Sequence, residues 1–150
     1  MRLVSGPFSQ PIAAWVGEQI GRDIDWGPCE AIGVSDENDN LIGGVVFNNY
    51  QPHFRNIEVS FAAVRRNWLT PKLVHGILSY PFDRLGVRRI TTLTPKRNRS
   101  ARQFLKKFGF VEEGNVREGF GTDDMIISGL LAKEWAGHRF NGKTEATRRP

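Results

Sequence analysis

The sequence predicts a single α/β domain whose mixed sheet of about six to seven strands carries helices on both faces. Apolar residues recur with the helical period of 3.6 in three segments, and they form short runs or alternate in about seven others. One strand–helix–strand unit in the middle of the chain requires a right-handed crossover, which makes its two strands parallel. Hairpins on either side of this unit are antiparallel, so the sheet is mixed.

The N-terminal part of the chain predicts one helix and a hairpin. The helix covers 11–22, because its apolar residues share one face and Pro11 suits a first helical position. Three strands accompany this helix: Arg2–Val4, 30–35 and 41–47. The turn residues 36–40 join the last two strands. Gly43 and Gly44 inside the second of them suggest a bulge or a close backbone approach.

The remainder of the chain predicts the parallel unit and a closing hairpin. Its elements are a strand at 57–64, a helix at 70–85, a strand at 89–94, a helix at 98–108 and strands at 115–120 and 124–131. Thr70 and Pro71 are typical of the N-cap and first position of a helix. Pro81 removes one helical hydrogen bond, so we expect a bend near the end of that helix.

Composition and charge describe an ordinary globular domain. The chain has 150 residues, of which 39% are hydrophobic and 25% are charged. It contains neither an apolar run of about 20 residues nor a signal-peptide core, so we expect a cytoplasmic protein. The lone Cys29 and three scattered histidines predict no disulfide and no metal site. Residues 136–150 hold four basic residues and one acid, so we expect the folded domain over 1–135 and a flexible basic tail after it.

The segment 98–114 carries the most specific pattern in the chain. Its predicted helix has an apolar face formed by Ala101, Phe104, Leu105 and Phe108. Gly109 then stands where a left-handed residue ends a helix. From Asn98 onward the sequence has small residues, an apolar pair, Gly-Phe and Glu-Gly, in this order. This combination resembles the last block of the GNAT superfamily of acyl-CoA-dependent N-acyltransferases. The resemblance covers about residues 2–135.

The resemblance implies a phosphate-binding turn before the helix at 70–85. In the family this turn reads Arg/Gln-x-x-Gly-x-Gly/Ala, and its N–H groups and the helix start hold the pyrophosphate of coenzyme A. The matching residues are Arg65, Arg66, Asn67, Trp68, Leu69 and Thr70. Trp68 and Thr70 replace the small residues, so Trp68 either borders the cofactor or packs as an anchor beneath the helix. Glycine-poor turns of this kind are similar to those of phage-encoded GNAT-like proteins.

The resemblance also implies where the rest of acetyl-CoA would bind. The pantetheine arm would bond the backbone where the central strand parts from the next one, at Phe61, Ala62, Ala63 and Val64. Asn98 would lie near this arm, although its equally good alternative is a helix cap. Arg99, Arg102 and Lys106 are candidates for the nucleotide phosphates, and the alternative for each is a solvated surface charge.

The chemistry implied is direct attack of an amine on the acetyl thioester. This reaction needs a base for the amine, donors for the developing oxyanion and a proton for the thiolate. Glu58 is the candidate base and shares a strand face with Ser60, about 6–7 Å away, so this pair is predicted as catalytic. A structural carboxylate is the alternative for Glu58. Leu105 occupies the position of the family's tyrosine acid, so the acid is unassigned.

The acceptor is expected between loop 23–28, loop 48–55 and turn 119–124. Asp123 and Asp124 in that turn would attract a cationic amine or simply form the turn. The sequence therefore predicts an acetyl-CoA-dependent N-acetyltransferase for a small-molecule or protein amine, and a homodimer is compatible with it. Two alternatives stay open. One is an inactive GNAT-fold structural or interaction module, for example of a phage particle; the other, nucleic-acid binding, rests on charge without a recognised motif.

Overall fold

The computed structural model describes residues 1–21 and 23–141, and over these residues the chain forms seven strands and four α-helices. The strands are β1 Arg2–Val4, β2 Cys29–Ser35, β3 Leu41–Gln51, β4 Asn56–Ala63, β5 Arg89–Pro95, β6 Val111–Phe120 and β7 Asp123–Leu131. The helices are α1 Ser9–Ile20, α2 Pro71–Ser79, α3 Arg99–Lys107 and α4 Ala132–Ala136.

All strands belong to one mixed sheet with the order β1-β2-β3-β4-β5-β7-β6. β4 and β5 are parallel, and the other neighbouring strands are antiparallel. Because α2 connects the two parallel strands, the central strand–helix–strand unit is present as the sequence predicts. The predicted fold class, a mixed sheet with helices on both faces, is confirmed.

The two faces of the sheet carry cores of different size. The smaller core lies under α1, where Ile12, Ala13 and Val16 pack on Ala31 and Val46 of β2 and β3. The larger core lies under α2, α3 and α4 and extends across the central strands. α1 covers β2 and β3 and reaches β4. The far half of the sheet on this face, formed by β5, β7 and β6, therefore has no helix packed over it among the described residues.

Two segments in the N-terminal half differ from the sequence prediction. α1 begins at Ser9, directly after a 3-10 turn at Gly6–Phe8, and so starts two residues before the predicted position. β3 continues to Gln51, so the first half of the predicted loop 48–55 is strand. A bulge between Asn48 and Gln51 interrupts its pairing, and Asn49 in this bulge has a φ of 52°. The residues at 48–51, which are typical of a turn, therefore form an irregular strand.

The predicted start of α2 and the predicted end of α3 are confirmed. The Thr70 Oγ1 accepts from the N–H of Leu73 at 3.3 Å, and Pro71 is the first residue of α2. Gly109 follows α3 with a φ of 91°. After α2 the chain makes a π turn over Tyr80–Arg84, where the N–H of Leu85 bonds the Tyr80 oxygen. This turn is the bend expected near Pro81, which has no N–H to donate.

The end of the described chain packs against the larger core. α4 is an element that the sequence did not reveal, and its Glu134 accepts a bond from the N–H of Leu131 at 2.8 Å. The His138 ring bonds the Phe108 oxygen at 2.7 Å, and Phe140 packs beside Phe108. Residues 136–141 of the predicted tail thus contact the domain, and residues 142–150 lie outside the described residues.

Residues 1–21 and 23–141 contain neither a membrane-spanning helix nor a metal-binding cluster. None of the helices there is long and apolar enough to cross a membrane. No three His, Cys, Asp or Glu side chains come together in this part of the chain in a way that could hold a metal ion.

Candidate active site

The central feature of the site is a gap between the parallel strands β4 and β5. The two strands pair over only three positions: Asn56 with Arg89, Ile57 with Ile90 and Glu58 with Thr91. Both strands continue beyond this point, to Ala63 and Pro95. Within the described residues, the edge of β4 that faces β5 is therefore unpaired over 59–63. An unpaired strand edge presents backbone donors and acceptors to any molecule that enters the gap.

The chain beyond β4 turns directly into the start of α2. The N–H of Val64 bonds the Ile42 oxygen at 2.9 Å, and the exposed Arg66 and Asn67 form the turn that follows. None of the residues 64–70 is among those with a positive φ. Glycine is therefore not required here by backbone conformation, and the two departures from the family pattern at Trp68 and Thr70 cause no backbone strain.

Arg65 fastens this turn to the hairpin between β2 and β3. Its guanidinium lies 3.2 Å from the Asp36 carboxylate, whose side chain is only 4% exposed. Hydrogen bonds from the backbone, that of Asn40 above all, lower the pKa of Asp36 although burial opposes them, and Arg65 contributes a smaller lowering. The structure thus places Arg65 in an ion pair within the protein.

Trp68 is buried and packs as an anchor beneath the start of α2. Its side chain is 3% exposed and lies flat against Gly43, where any Cβ atom would overlap the indole ring. The indole also stacks on Phe104 of α3 with ring centroids 6.2 Å apart. Gly44 receives Val16 of α1 on the opposite face, so side chains, and not another backbone segment, lie close to both glycines.

Aromatic side chains extend from Trp68 across the gap on the side of α2 and α3. Phe61 of β4 contacts Phe104 with centroids 4.8 Å apart, and Phe104 in turn contacts Phe108. A cavity of about 60 Å³ lies beneath these rings and is lined only by apolar side chains of β3, β4, α2, α3 and the segments beside them. On this side the gap is therefore filled with apolar groups.

Glu58 and Ser60 lie on the opposite face of β4, toward α1. Strand alternation puts them on the side of Ala62, which packs with the core under α1. Glu58 is half-buried and stands between Asn48 of β3 and Thr91 of β5 in the register. The Asn48 amide donates to the Trp26 oxygen at 3.2 Å. The structure thus brings the predicted loop 23–28 beside the predicted base.

Asn98 and Arg102 both have structural partners. The Asn98 Oδ1 accepts from the N–H of Ala101 at 3.2 Å, so Asn98 caps α3. Arg102 forms a two-pronged bond with Glu112 of β6, the shortest contact being 2.8 Å, and also donates to the Lys96 oxygen. Hydrogen bonding within this pair raises the pKa of Arg102 and lowers that of Glu112. Arg102 therefore connects α3 to β6, whereas Arg99 and Lys106 are exposed.

Asp123 and Asp124 hold the hairpin between β6 and β7. The Asp123 carboxylate accepts from the N–H of Arg97 at 3.0 Å. Asp124 accepts from the N–H of Glu118 and from Asn115, and the first of these bonds is the main reason why its pKa is lowered. Both carboxylates line a wide, polar surface groove of about 590 Å³ beside the start of α3. Both carboxylates accept hydrogen bonds from backbone N–H groups, as turn residues do.

The tyrosines do not replace the missing acid. Leu105 is 3% exposed and belongs to the core. Tyr80 packs on Phe47 at the C-terminal end of α2, far from the turn at its N-terminal end, and burial raises the pKa of Tyr80. Tyr50 is exposed in the irregular part of β3. No acid is therefore assigned.

Sequence reasoning missed a polar row beside Glu58. Thr91 accepts from the Arg89 Nε at 3.0 Å, and Arg89 pairs with Glu113 of β6 at 2.6 Å. The guanidinium lies over Gly129 of β7, where a side chain would block it. Only the strand register, which depends on pairing across three strands, puts these residues in one row.

Curated proteins similar to this chain are N-acetyltransferases by name. No protein-family model matches the sequence. YdaF of Bacillus subtilis (strain 168), provisionally named a ribosomal N-acetyltransferase, is 28% identical over 107 residues, which cover 67% of this chain and 58% of YdaF. YoaA of the same organism, an uncharacterised N-acetyltransferase, is 28% identical over 103 residues, covering 67% and 55%. The chain thus spans less than three-fifths of the length of these relatives.

Solved structures similar to this chain establish the fold. SpeG, a spermidine/spermine N-acetyltransferase of Vibrio cholerae, has a TM-score of 0.75 at 17% identity, over 91% of this chain and 95% of SpeG. A mutant form of SpeG has a TM-score of 0.63 at 26% identity, over 71% and 66%. Together with the strand order and the gap between β4 and β5, these similarities show that the chain has the fold of the GNAT N-acyltransferases.

Proposed function

We propose that the protein transfers an acetyl group from acetyl-CoA to a primary amine. The observation that carries this proposal is the parting of β4 and β5 directly beyond Glu58 and Thr91. The unpaired edge of β4 leads into the exposed turn before α2. The similarity to YdaF and YoaA supports the same activity.

The described residues fit acetyl-CoA along this path. The helix start at Thr70 and the exposed turn at Arg66 and Asn67 suit the pyrophosphate, because helix N-termini and backbone N–H groups attract anions. The unpaired backbone of 61–64 suits the pantetheine amides, and Val64 is 57% exposed there. Trp68 lies beneath the turn and not on its outer surface. The exposed Arg66 is better placed for a phosphate than Arg65, which pairs with Asp36.

The residues of the gap then have separate tasks in the reaction. When bound, acetyl-CoA supplies an activated thioester. Glu58 would take a proton from the amine, directly or through one water, since an ammonium has no lone pair for the attack. Backbone N–H groups on the unpaired edge of β4 would donate to the carbonyl oxygen as negative charge develops on it. Ser60 lies next along the face of Glu58 and would orient the amine or that water.

The test combines binding and turnover. We expect isothermal titration calorimetry to show saturable acetyl-CoA binding, and we expect thiol release to depend on an added amine. Glu58→Gln should leave binding intact and lower kcat by about 10²–10⁴-fold. Glu18→Gln on the exposed surface of α1 is the matched control and should change neither quantity. A folded protein that does not bind millimolar acetyl-CoA would refute the proposal.

A second candidate is a GNAT-fold module without catalysis, for example in a phage particle. It is favoured by the contact between Trp68 and Phe104, which fills one side of the gap, and by the ion pairs that engage Arg65 and Arg102. The protein would then release no thiol from acetyl-CoA with any amine. Amine-dependent turnover that disappears in Glu58→Gln excludes this candidate.

A further inference from the structure

The face of the sheet beside Glu58 continues as an apolar strip across β5, β7 and β6. The register aligns Leu93 of β5 with Ile127 of β7, and Pro95 with Met125. Met125 is aligned in turn with Val116 of β6. Because aligned residues in a sheet point to the same side, all five lie on the face of Thr91 and Glu58. We call these five residues the apolar strip.

The apolar strip is accessible to solvent. Leu93 is 38% exposed and Val116 is 42% exposed, while Ile127 and Met125 are partly buried. α1 covers β2 and β3 on this face and reaches β4, and no other described helix lies there. Contiguous exposed apolar groups of this kind mark a contact surface for a ligand or partner.

The apolar strip begins at the gap itself. Thr91 is the last β5 residue paired with β4, and Leu93 is the next residue of β5 on the same face. Ser60 holds the corresponding position on β4, so Ser60 and Leu93 border the mouth of the gap. A molecule whose amine reaches Glu58 through this mouth would lay its adjoining atoms on Leu93 and Ile127.

The carboxylates around this mouth are already engaged. Glu113 pairs with Arg89, which also places a positive charge over Gly129 beside the mouth. Asp123 and Asp124 accept bonds from backbone and side-chain donors of the hairpin region. A second ammonium group on the acceptor would have to displace an existing donor to reach any of these carboxylates. The surroundings of the mouth thus favour apolar groups over additional cations.

From this arrangement we infer that the acceptor is a primary amine attached to an apolar body, aromatic or branched aliphatic, that packs on the apolar strip. The inference rests on the proposed acetyl transfer and adds the chemical class of the acceptor. Glu58 receives the single ammonium group, and Leu93, Ile127 and Met125 contact the apolar body. The amine gains the acetyl group and loses a proton, and coenzyme A leaves as the thiol.

The test compares amines that differ in the group next to nitrogen. Thiol release from acetyl-CoA is measured with 2-phenylethylamine and isoamylamine as apolar acceptors, ethanolamine as a small polar acceptor and spermidine as a polycation. We expect kcat/KM for the two apolar amines to exceed that for ethanolamine and spermidine by about tenfold or more, since single apolar contacts in a pocket contribute on this scale.

A substitution on the apolar strip tests whether this surface determines the preference for apolar amines. Leu93→Asp should lower kcat/KM for 2-phenylethylamine by about tenfold and raise it for spermidine, because it replaces an apolar contact with a free carboxylate. Leu3→Asp on β1 is the matched control, since Leu3 is 37% exposed and lies at the opposite edge of the sheet. The control should leave the order of the four amines unchanged.

Calorimetry with acetyl-CoA on each variant separates the two proposals. If acetyl-CoA binds and spermidine or ethanolamine is the best acceptor, or none of the amines reacts, the inference about the acceptor is wrong and the cofactor assignment stands. If acetyl-CoA does not bind to the folded wild-type protein, the proposed transfer fails and this inference fails with it. An unchanged order of amines in Leu93→Asp also overturns the inference.

Discussion

The two sides of the gap between β4 and β5 differ in chemistry. On the closed side, toward α2 and α3, Phe104 contacts both Phe61 and Trp68. On the open side, toward α1, Glu58 and Leu93 stand on a face that no described helix covers at β5. One side is thus a cluster of aromatic side chains around the buried Trp68, and the other is an accessible surface with a carboxylate.

The two faces of β4 therefore have different roles: residues on one face stabilise the fold, and residues on the other are available for the proposed reaction. The closed side fixes the position of α2 and of the turn before it, because the indole of Trp68 is inserted between Gly43 and Phe104. The open side leaves the proposed base within reach of an incoming amine. Substitutions on the closed side should therefore affect folding, and those on the open side should affect turnover.

Trp68→Ala is the strongest test of the closed side. Because Trp68 is 3% exposed in a packed core, its truncation should lower the free energy of unfolding by about 3–5 kcal/mol. Leu93→Ala on the open side should cost less than about 0.5 kcal/mol, since Leu93 is 38% exposed. Urea unfolding of both variants measures the contrast, and Trp68→Phe serves if Trp68→Ala does not fold. Equal losses at the two positions would show that the closed side does not anchor the fold.

Gly43→Ala tests the same contact from the other partner. The added methyl group would overlap the Trp68 ring, so we expect a loss of about 1–3 kcal/mol from displacement of the indole. Gly137→Ala is the control, because no atom lies within 4 Å of a Cβ there. The two positions should also be coupled: in a Trp68→Ala background, Gly43→Ala should cost little. Additive losses in a double-mutant cycle would mean that Gly43 acts through something other than this contact.

Local signals in the sequence were enough to predict much of the fold. The caps at Thr70 and Asn98 were predictable because a cap is formed by residues three positions apart. The order of strands and the parallel pair followed from periodicity and from the crossover rule. The extension of β3 was not predictable, because the bulge at Asn49 depends on pairing with β4 and its sequence is typical of a turn.

The candidate site was predictable only in part, since its key contacts join distant segments. The inward packing of Trp68 depends on Gly43, which lies 25 residues earlier, on β3. The pairing of Arg102 with Glu112 depends on how α3 lies against β6, so the sequence left phosphate binding and solvated surface charge as the alternatives for Arg102. The apolar strip appears only once the register of β5, β7 and β6 is known.

Asn98 stands at the start of α3, where its two predicted roles can be separated. Asn98→Ala and Glu134→Ala each remove one capping bond, at the starts of α3 and α4, and should each cost about 1 kcal/mol of unfolding free energy. We expect Asn98→Ala alone to weaken acetyl-CoA binding by calorimetry, as contact with the pantetheine arm requires. If both variants lose stability and neither loses affinity, Asn98 is only a cap.

Lowering the pH should weaken the contacts made by Glu112 and Asp124. It should leave the closed side unaffected, because the aromatic contacts there carry no charge. The Arg102 hydrogen bond lowers the pKa of Glu112, and the Glu118 N–H bond lowers the pKa of Asp124. A carboxyl whose pKa is lower in the folded state stabilises the fold above its unfolded pKa, and this contribution is lost as pH falls through the folded value. Stability should therefore be constant above about pH 5 and decline below about pH 4. Urea unfolding at pH 7, 5, 4 and 3.5 measures the decline.

Glu112→Gln should make this decline in stability shallower, because one fewer carboxyl with a lowered pKa takes up a proton on unfolding. An unchanged slope would mean that Arg102 and Glu112 do not stabilise the attachment of α3 to β6.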